Sequence, residues 1–265
     1  MCAHENNPSF NPGFDIVYDT DKMTYFYPDG VFGPEVEIRR LDDIRKSLLD
    51  YHCSGPDKVY AIAMDVGRTI DKEDLINRNL LYGTVIYAKG KLGQEPIRSQ
   101  GHVHAVSKSC NMSTPEVYEI WSGRAIVYMQ EKAEDQPGRC YAVEGKPRDI
   151  IIVPPGWAHA TISADPNHPL VFGAWCVRDY GFDYHDVRSH NGLAYYPKLN
   201  DNNEIIWLKN KQYEKSDLIV KTPRKYHEFN LDNEPIYSQY LKDKERFMFV
   251  SHPELKSDIW SNFIP

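Results

Sequence analysis

Apolar and polar positions alternate in short runs over most of this chain, and helical spacing is rare. From residue 80 to residue 177 the runs at 81–88, 98–105, 117–128, 139–143, 150–153, 158–163 and 170–177 each read as a β-strand. Gly, Pro and Asp punctuate them, and no helical stretch intervenes. Seven strands at this spacing predict an antiparallel sandwich or jelly roll. Upstream, residues 14–27 alternate around an Asp19-Thr20-Asp21 turn, and 59–64 is strand-like. Residues 40–51 read as a helix, with Leu41, Ile44, Leu48 and Leu49 at helical spacing and Asp42 and Asp43 in the first turn. Residues 71–77 read as a short helix or turn, and 204–208 as a further strand.

The two ends of the chain differ in character. Residues 1–13 hold three Asn and two Pro with little apolar content, and read as a loose arm. Residues 222–265 are charged yet rich in aromatics (Tyr226, Phe229, Tyr237, Tyr240, Phe247, Trp260, Phe263), too aromatic for a disordered tail. They are expected to pack on the barrel or on a second subunit. The predicted division is an arm at 1–13, a domain at 14–213 and a C-terminal extension at 214–265.

Composition narrows the function classes. The 265 residues are 41% hydrophobic and 12% aromatic, enough for a buried core without covalent staples. No apolar run approaches the length of a membrane span, and no basic-then-apolar leader opens the chain. The net charge of -7, with no block of Lys or Arg, argues against nucleic acid as a partner. Five scattered cysteines without a paired CxxC motif read as reduced thiols, which points to the cytoplasm.

The candidate chemistry is a metal set. His102 and His104 stand two apart behind Gly101, so on a strand both imidazoles point the same way. Glu116 opens the next strand, with Tyr118 on the same face, and His159 follows the Pro154-Pro155-Gly156 turn. Glu119 is the rival carboxylate, but strand alternation sends it to the opposite face from Glu116. Three imidazoles and one carboxylate suit Fe(II), Mn(II), Zn(II) or Ni(II) and leave coordination positions for a substrate. A lone histidine on a strand is ordinarily surface or hydrogen-bonded core, which is the reading for the remaining seven; His185 and His190 are the two placed to line a barrel mouth.

These motifs resemble the cupin superfamily and, within it, the cupin-type glucose-6-phosphate isomerase family. The resemblance rests on Leu81 to Tyr87, Lys91 to Glu95, Ser99 to His104, Glu116-Val117-Tyr118, Pro154 to Thr161 and Asp179 to Tyr184. It runs from about Phe14 to about Tyr213. It implies an all-β cupin jelly roll with N-terminal strands and helix and a C-terminal extension. It also implies metal ligation by His102, His104, Glu116 and His159, with Fe(II) as the first expectation. A phosphate pocket is implied at Thr84, Ser99, Gly101 and Tyr118, with Tyr184 near the substrate. The implied activity is a metal-dependent isomerase interconverting glucose 6-phosphate and fructose 6-phosphate, working in the cytoplasm as a homodimer.

Glu116, Tyr118 and Tyr184 are the expected catalytic groups, with His185 a further candidate for sugar ring opening. Hydrogen can move between C1 and C2 through an enediol or as a hydride. Phe182 stands where the family usually has His, Cys176 where it usually has Tyr, and a longer stretch separates His104 from Glu116. These departures leave open a cupin isomerase for another sugar, a cupin dioxygenase or a non-catalytic sugar-binding protein.

Overall fold

The computed structural model describes residues 10–265; the first nine residues, including Cys2, His4 and most of the expected N-terminal arm, lie outside them. Two sheets face each other. The larger has the strand order Ile150–Val153, Glu116–Ser122, Leu170–Val177, Leu80–Tyr87, Lys58–Met64, Glu37–Arg40, every neighbour antiparallel. The smaller runs Ala158–Ser163, Ala125–Gln130, Cys140–Gly145, Leu218–Lys221. This is the cupin-type jelly roll. Leu218–Lys221 departs from the all-antiparallel expectation: it comes from the C-terminal extension and pairs parallel to Cys140–Gly145.

Between the sheets, Leu81, Tyr118, Ile120, Val127, Met129, Val143, Phe172 and Ala174 form one core. The opposite face of the larger sheet is equally apolar. Leu80, Tyr82, Ile86, Val117, Trp121, Val171 and Trp175 belong to a second core. Strands with apolar side chains on both faces must be covered on both. The cover comes from the two chain ends. Phe10 and Phe14 pack there, and so does the C-terminal segment with its short helices Ile236–Lys242, Met248–Ser251 and Ser257–Trp260. The Trp175 ring meets Tyr237, Tyr240 and Phe247 at centroid distances of 5.4, 5.0 and 5.5 Å. The extension thus packs on the barrel of its own chain, and its aromatics are spent there.

Three predicted elements come out differently. The run 98–105 is no regular strand: only isolated bridges, Arg98 to Ile162 and His102 to His159, and the two-residue strand Val103–His104 form. The run 117–128 is two strands, broken at Gly123, whose φ of +83° turns the chain and whose Cβ would meet the Pro169 carbonyl at 2.5 Å. The helix at 40–51 is one turn, Leu41–Ile44, followed by a 3-10 turn, Arg45–Ser47. It stops because tertiary partners take its backbone groups. The N–H of Leu49 donates to Glu95 Oε2 (2.7 Å), and Arg45 donates to the carbonyls of Tyr51 and Cys53.

Candidate metal centre

The two histidine-bearing segments are stitched together by backbone. His102 N–H donates to the carbonyl of His159 (3.0 Å), and His159 N–H returns the bond to His102 (2.9 Å). A turn made possible by Gly101, at φ +89°, leads into His102; a Cβ there would meet Leu193 Cδ1 at 2.9 Å. Ser113 ties the neighbouring loops. Its hydroxyl donates to the carbonyl of His104 (2.8 Å) and accepts from the N–H of Gly156 (2.9 Å), in the turn before His159. Glu116 enters from the first position of Glu116–Ser122.

The ring orientations follow from second partners. His104 Nδ1 lies 2.8 Å from the carbonyl of Thr114, and His159 Nδ1 lies 3.1 Å from that of Trp157. A carbonyl only accepts, so each Nδ1 carries the proton and each Nε2 presents a lone pair. Glu116 Oε2 stands 3.3 Å from His104 Nε2 and 3.4 Å from His159 Nε2. Nε2 of His102 and of His159 are buried without a hydrogen-bond partner. The ligand atoms of His102, His104, Glu116 and His159 all lie within 4.8 Å of one another, and among the described residues this is the one such group. Buried lone pairs without donors are costly, and a divalent cation satisfies them together, so the donor set fits a metal ion.

The electrostatics agree. Burial pushes the His102 imidazole well below its ordinary range, reinforced by His159 and His104, and burial lowers His159 as well. Neutral imidazole is the ligating form. Burial alone would raise Glu116; the adjoining His104 and His159 imidazoles outweigh it and hold the carboxyl well below its ordinary range. The site therefore presents His102 and His159 held toward the neutral, ligating form beside a carboxylate.

Around this set the cavity is lined by Ser99, Tyr118, Thr161, Phe182 and Tyr184 among others. Tyr118 donates its hydroxyl to Glu116 Oε2 at 2.8 Å. Ser99 Oγ accepts from Thr161 N–H at 3.1 Å. Phe182 packs edge-on against His102, with centroids 4.5 Å apart. The Cys176 thiol donates to Glu116 Oε1 at 3.3 Å, so both residues that depart from the family pattern touch the metal set.

Thr84 is a correction. Its hydroxyl donates to the Phe172 carbonyl (2.8 Å) and meets Tyr25 Oη (3.2 Å), on the face of the sheet away from the cavity. Its neighbour Val85 lines the cavity instead. Alternation along the strand puts Leu81, Val85 and Tyr87 inside and Thr84 outside. Gly101 shapes the turn and is not among the lining residues. His185 is also set apart: it is exposed, bonded to Asp186, and does not line the cavity. His190 stacks on Tyr213 and pairs with Asp135. Arg39, Tyr60 and Thr161 line the cavity and were missed from sequence. Thr161 was within reach, two residues beyond His159 on the same strand; Arg39 and Tyr60 carry no local signal.

Comparison with known proteins points the same way. The family described as glucose-6-phosphate isomerase (GPI) matches residues 48–216, well over half of the chain. A glucose-6-phosphate isomerase of Thermococcus litoralis is 28% identical over 153 residues, covering 56% of this chain and 72% of the relative. One of Pyrococcus furiosus is 25% identical over 192 residues, covering 69% and 90%. Among solved structures, hazelnut vicilin aligns with 12% identity and a TM-score of 0.36 over 49% of this chain, which spans about a third (33%) of that protein. A cupin superfamily protein of Desulfitobacterium hafniense aligns with 12% identity and a TM-score of 0.24, over 37% of this chain and 66% of that one. With its metal-ready barrel, and with the match running through both histidine segments, this chain belongs to the glucose-6-phosphate isomerase family.

Proposed function

We propose that the protein interconverts glucose 6-phosphate and fructose 6-phosphate, using one divalent metal ion per chain held by His102, His104, Glu116 and His159. The observation that supports this most is the convergence of those four donors, two imidazole nitrogens unpartnered, inside a barrel of the isomerase family. When bound, a divalent ion supplies Lewis acidity toward the sugar oxygens at C1 and C2. Fe(II) is the first choice, with Mn(II), Zn(II) and Ni(II) compatible with the same ligands.

The chain's own groups supply position and proton control. Tyr118 and Tyr184 border the site with hydroxyls that burial keeps protonated; Tyr118 donates its hydrogen bond to Glu116, and Tyr184 is placed to donate to a sugar oxygen. Ser99 and Thr161 add hydroxyls on the facing wall. The enclosed space is about 70 Å³, against roughly 300 Å³ or more for ordinary small-molecule sites. Phe182 and Tyr184, at its edge, move outward to admit a hexose phosphate. The transferred hydrogen travels as a proton through Glu116 or as a hydride between the carbons. Deuterium taken up from solvent during turnover marks the first route, and none marks the second.

The test strips the protein of metal, restores each of the four ions in turn, and follows both directions of the reaction. Conversion of either hexose phosphate supports the reading. Turnover of some other aldose or ketose alone removes the substrate assignment. Oxygen consumption with a thiol or aromatic substrate, and no sugar turnover, removes the isomerase reading for this site. The four described cysteines, Cys53, Cys110, Cys140 and Cys176, are free thiols, in keeping with a cytoplasmic protein. A homodimer is part of the same proposal, and sedimentation at micromolar concentration tests it. Since the extension covers its own sheet, the pairing surface lies elsewhere.

A further inference from the structure

Among the described residues, the cavity beside the metal set is lined by a single Arg or Lys, Arg39. It sits on the edge strand Glu37–Arg40, directly across from Tyr60, and faces inward with it. Both residues line the cavity together with Tyr184. The strand lies before residues 48–216, the segment that the family model matches. The one ion pair of Arg39 is with Glu37 Oε1, at 2.8 Å, and the Glu37 side chain is 55% exposed. A guanidinium has five N–H donors in a planar fork, and one exposed carboxylate leaves most of them free.

The lining contributed by Leu80–Tyr87, two strands along the same sheet, explains why a cation is needed there. Thr84 has turned its hydroxyl into the outer core, and Val85 presents an apolar side chain to the cavity in its place. Ser99 remains, with its oxygen already accepting from Thr161 N–H. A phosphate ester that carries close to two negative charges is poorly held by one hydroxyl. A half-buried guanidinium opposite it supplies paired, charge-assisted donors. Arg188, the other guanidinium near Tyr184, stacks on that ring at 4.8 Å and donates to Gln100, and it does not line the cavity.

We infer that Arg39 recognises the phosphate of the substrate, exchanging its Glu37 partner for the phosphate oxygens, with Tyr184 and Ser99 beside it. The inference rests on the sugar-phosphate reading above, and its test separates the two. Metal-loaded wild type, Arg39→Gln and Arg39→Lys are compared for hexose phosphate kinetics, for metal content, and for direct calorimetric binding of inorganic phosphate. Loss of one charged contact predicts that Arg39→Gln weakens KM and phosphate binding about 10- to 100-fold, with metal content unchanged. Arg39→Lys is expected to recover part of the loss, and Glu37→Gln to tighten phosphate binding by about twofold. If phosphate binds wild type and Arg39→Gln equally, the inference is overturned, whether the anion then sits on the metal or elsewhere. If wild type turns over no hexose phosphate, the functional reading fails instead. The phosphate titration still decides the role of Arg39.

Discussion

Glu116 and Glu119 lie three residues apart on one strand, both nearly inaccessible to water, yet the fold drives their acidities in opposite directions. Glu116 points between the sheets, where His104 and His159 outweigh burial and keep it ionised. Glu119 points to the outer face, beneath the C-terminal extension. There burial dominates and pushes its carboxyl up to about 8. One of its oxygens accepts from Ile236 N–H, at the start of the helix Ile236–Lys242, and the other has no partner. The same residue type joins a set of donors that could hold a metal on one face and is a neutral structural acceptor on the other. Each face of this sheet is a separate chemical environment: the inner one gathers donors that fit an ion, and the outer one holds the extension to the barrel.

The largest expected effect breaks the inner side alone. The double substitution His102→Ala/His159→Ala removes two of three imidazoles, so stoichiometric metal and isomerase activity should disappear together. The fold should survive, because both histidines sit at an edge of the core, and their pairing runs through backbone bonds that alanine retains. Metal analysis and circular dichroism on the same sample check this. One bound ion per chain in the double variant would remove the site assignment.

Next in size is damage confined to the outer side. Trp175 is completely buried, with three extension aromatics around it and its indole N–H donated to the Ile236 carbonyl at 3.3 Å. Trp175→Ala leaves a cavity and should cost about 3–5 kcal/mol of unfolding free energy. Denaturant unfolding measures it. Metal binding by the molecules that remain folded should keep its wild-type stoichiometry, because the indole and the ligands lie on opposite faces of the sheet.

How much of this was legible beforehand follows the same division. The strands at 150–153, 158–163 and 170–177 were read to the residue, because Pro, Gly and Asp bound them closely. The convergence of His102, His104, Glu116 and His159 was legible because His, x, His and a following Glu constrain one another's facing. Glu119 could be turned away from it by alternation alone. Thr84 could not be placed in the same manner. Leu80–Tyr87 is apolar on both faces, so no polar side marks which parity points inward, and a one-residue choice flips every side chain. Arg39 was hidden for a different reason. Its facing depends on pairing with Lys58–Met64, a contact that no local pattern announces. The shortened helix after Arg40 is likewise a tertiary effect, since Glu95 captures a backbone N–H that helical spacing would have used.

A pH titration sharpens the contrast between the two glutamates. With a folded pKa near 8 against an unfolded value near 4.5, Glu119 is protonated in the native state over a range in which the unfolded chain ionises. The folded state therefore holds the extra proton, and stability falls as pH rises from about 4.5 to about 8, by up to ~1.4 kcal/mol per pH unit. Glu119→Gln keeps an oxygen for Ile236 N–H and cannot ionise. Its stability relative to wild type should rise across that window and level off above it. A stability difference that stays constant with pH would show that Glu119 does not ionise on unfolding.

The smallest effect separates two hydroxyls that look equivalent in sequence. Ser99 lines the cavity; Thr84 does not, and donates to the Phe172 carbonyl within the outer layer. Ser99→Ala should raise KM for a hexose phosphate, by about 10-fold if it donates to the charged group, and leave metal content unchanged. Thr84→Ala should leave KM where it is and appear only as a stability loss of about 1 kcal/mol from the missing buried hydrogen bond. Kinetics and thermal melts on the pair distinguish the faces directly. A KM effect from Thr84→Ala equal to that of Ser99→Ala would mean that the strand's inner and outer sides are exchanged in the working enzyme. With Tyr25 Oη 3.2 Å from the Thr84 hydroxyl on the outer side, that exchange would have to leave both hydroxyls without their present partners.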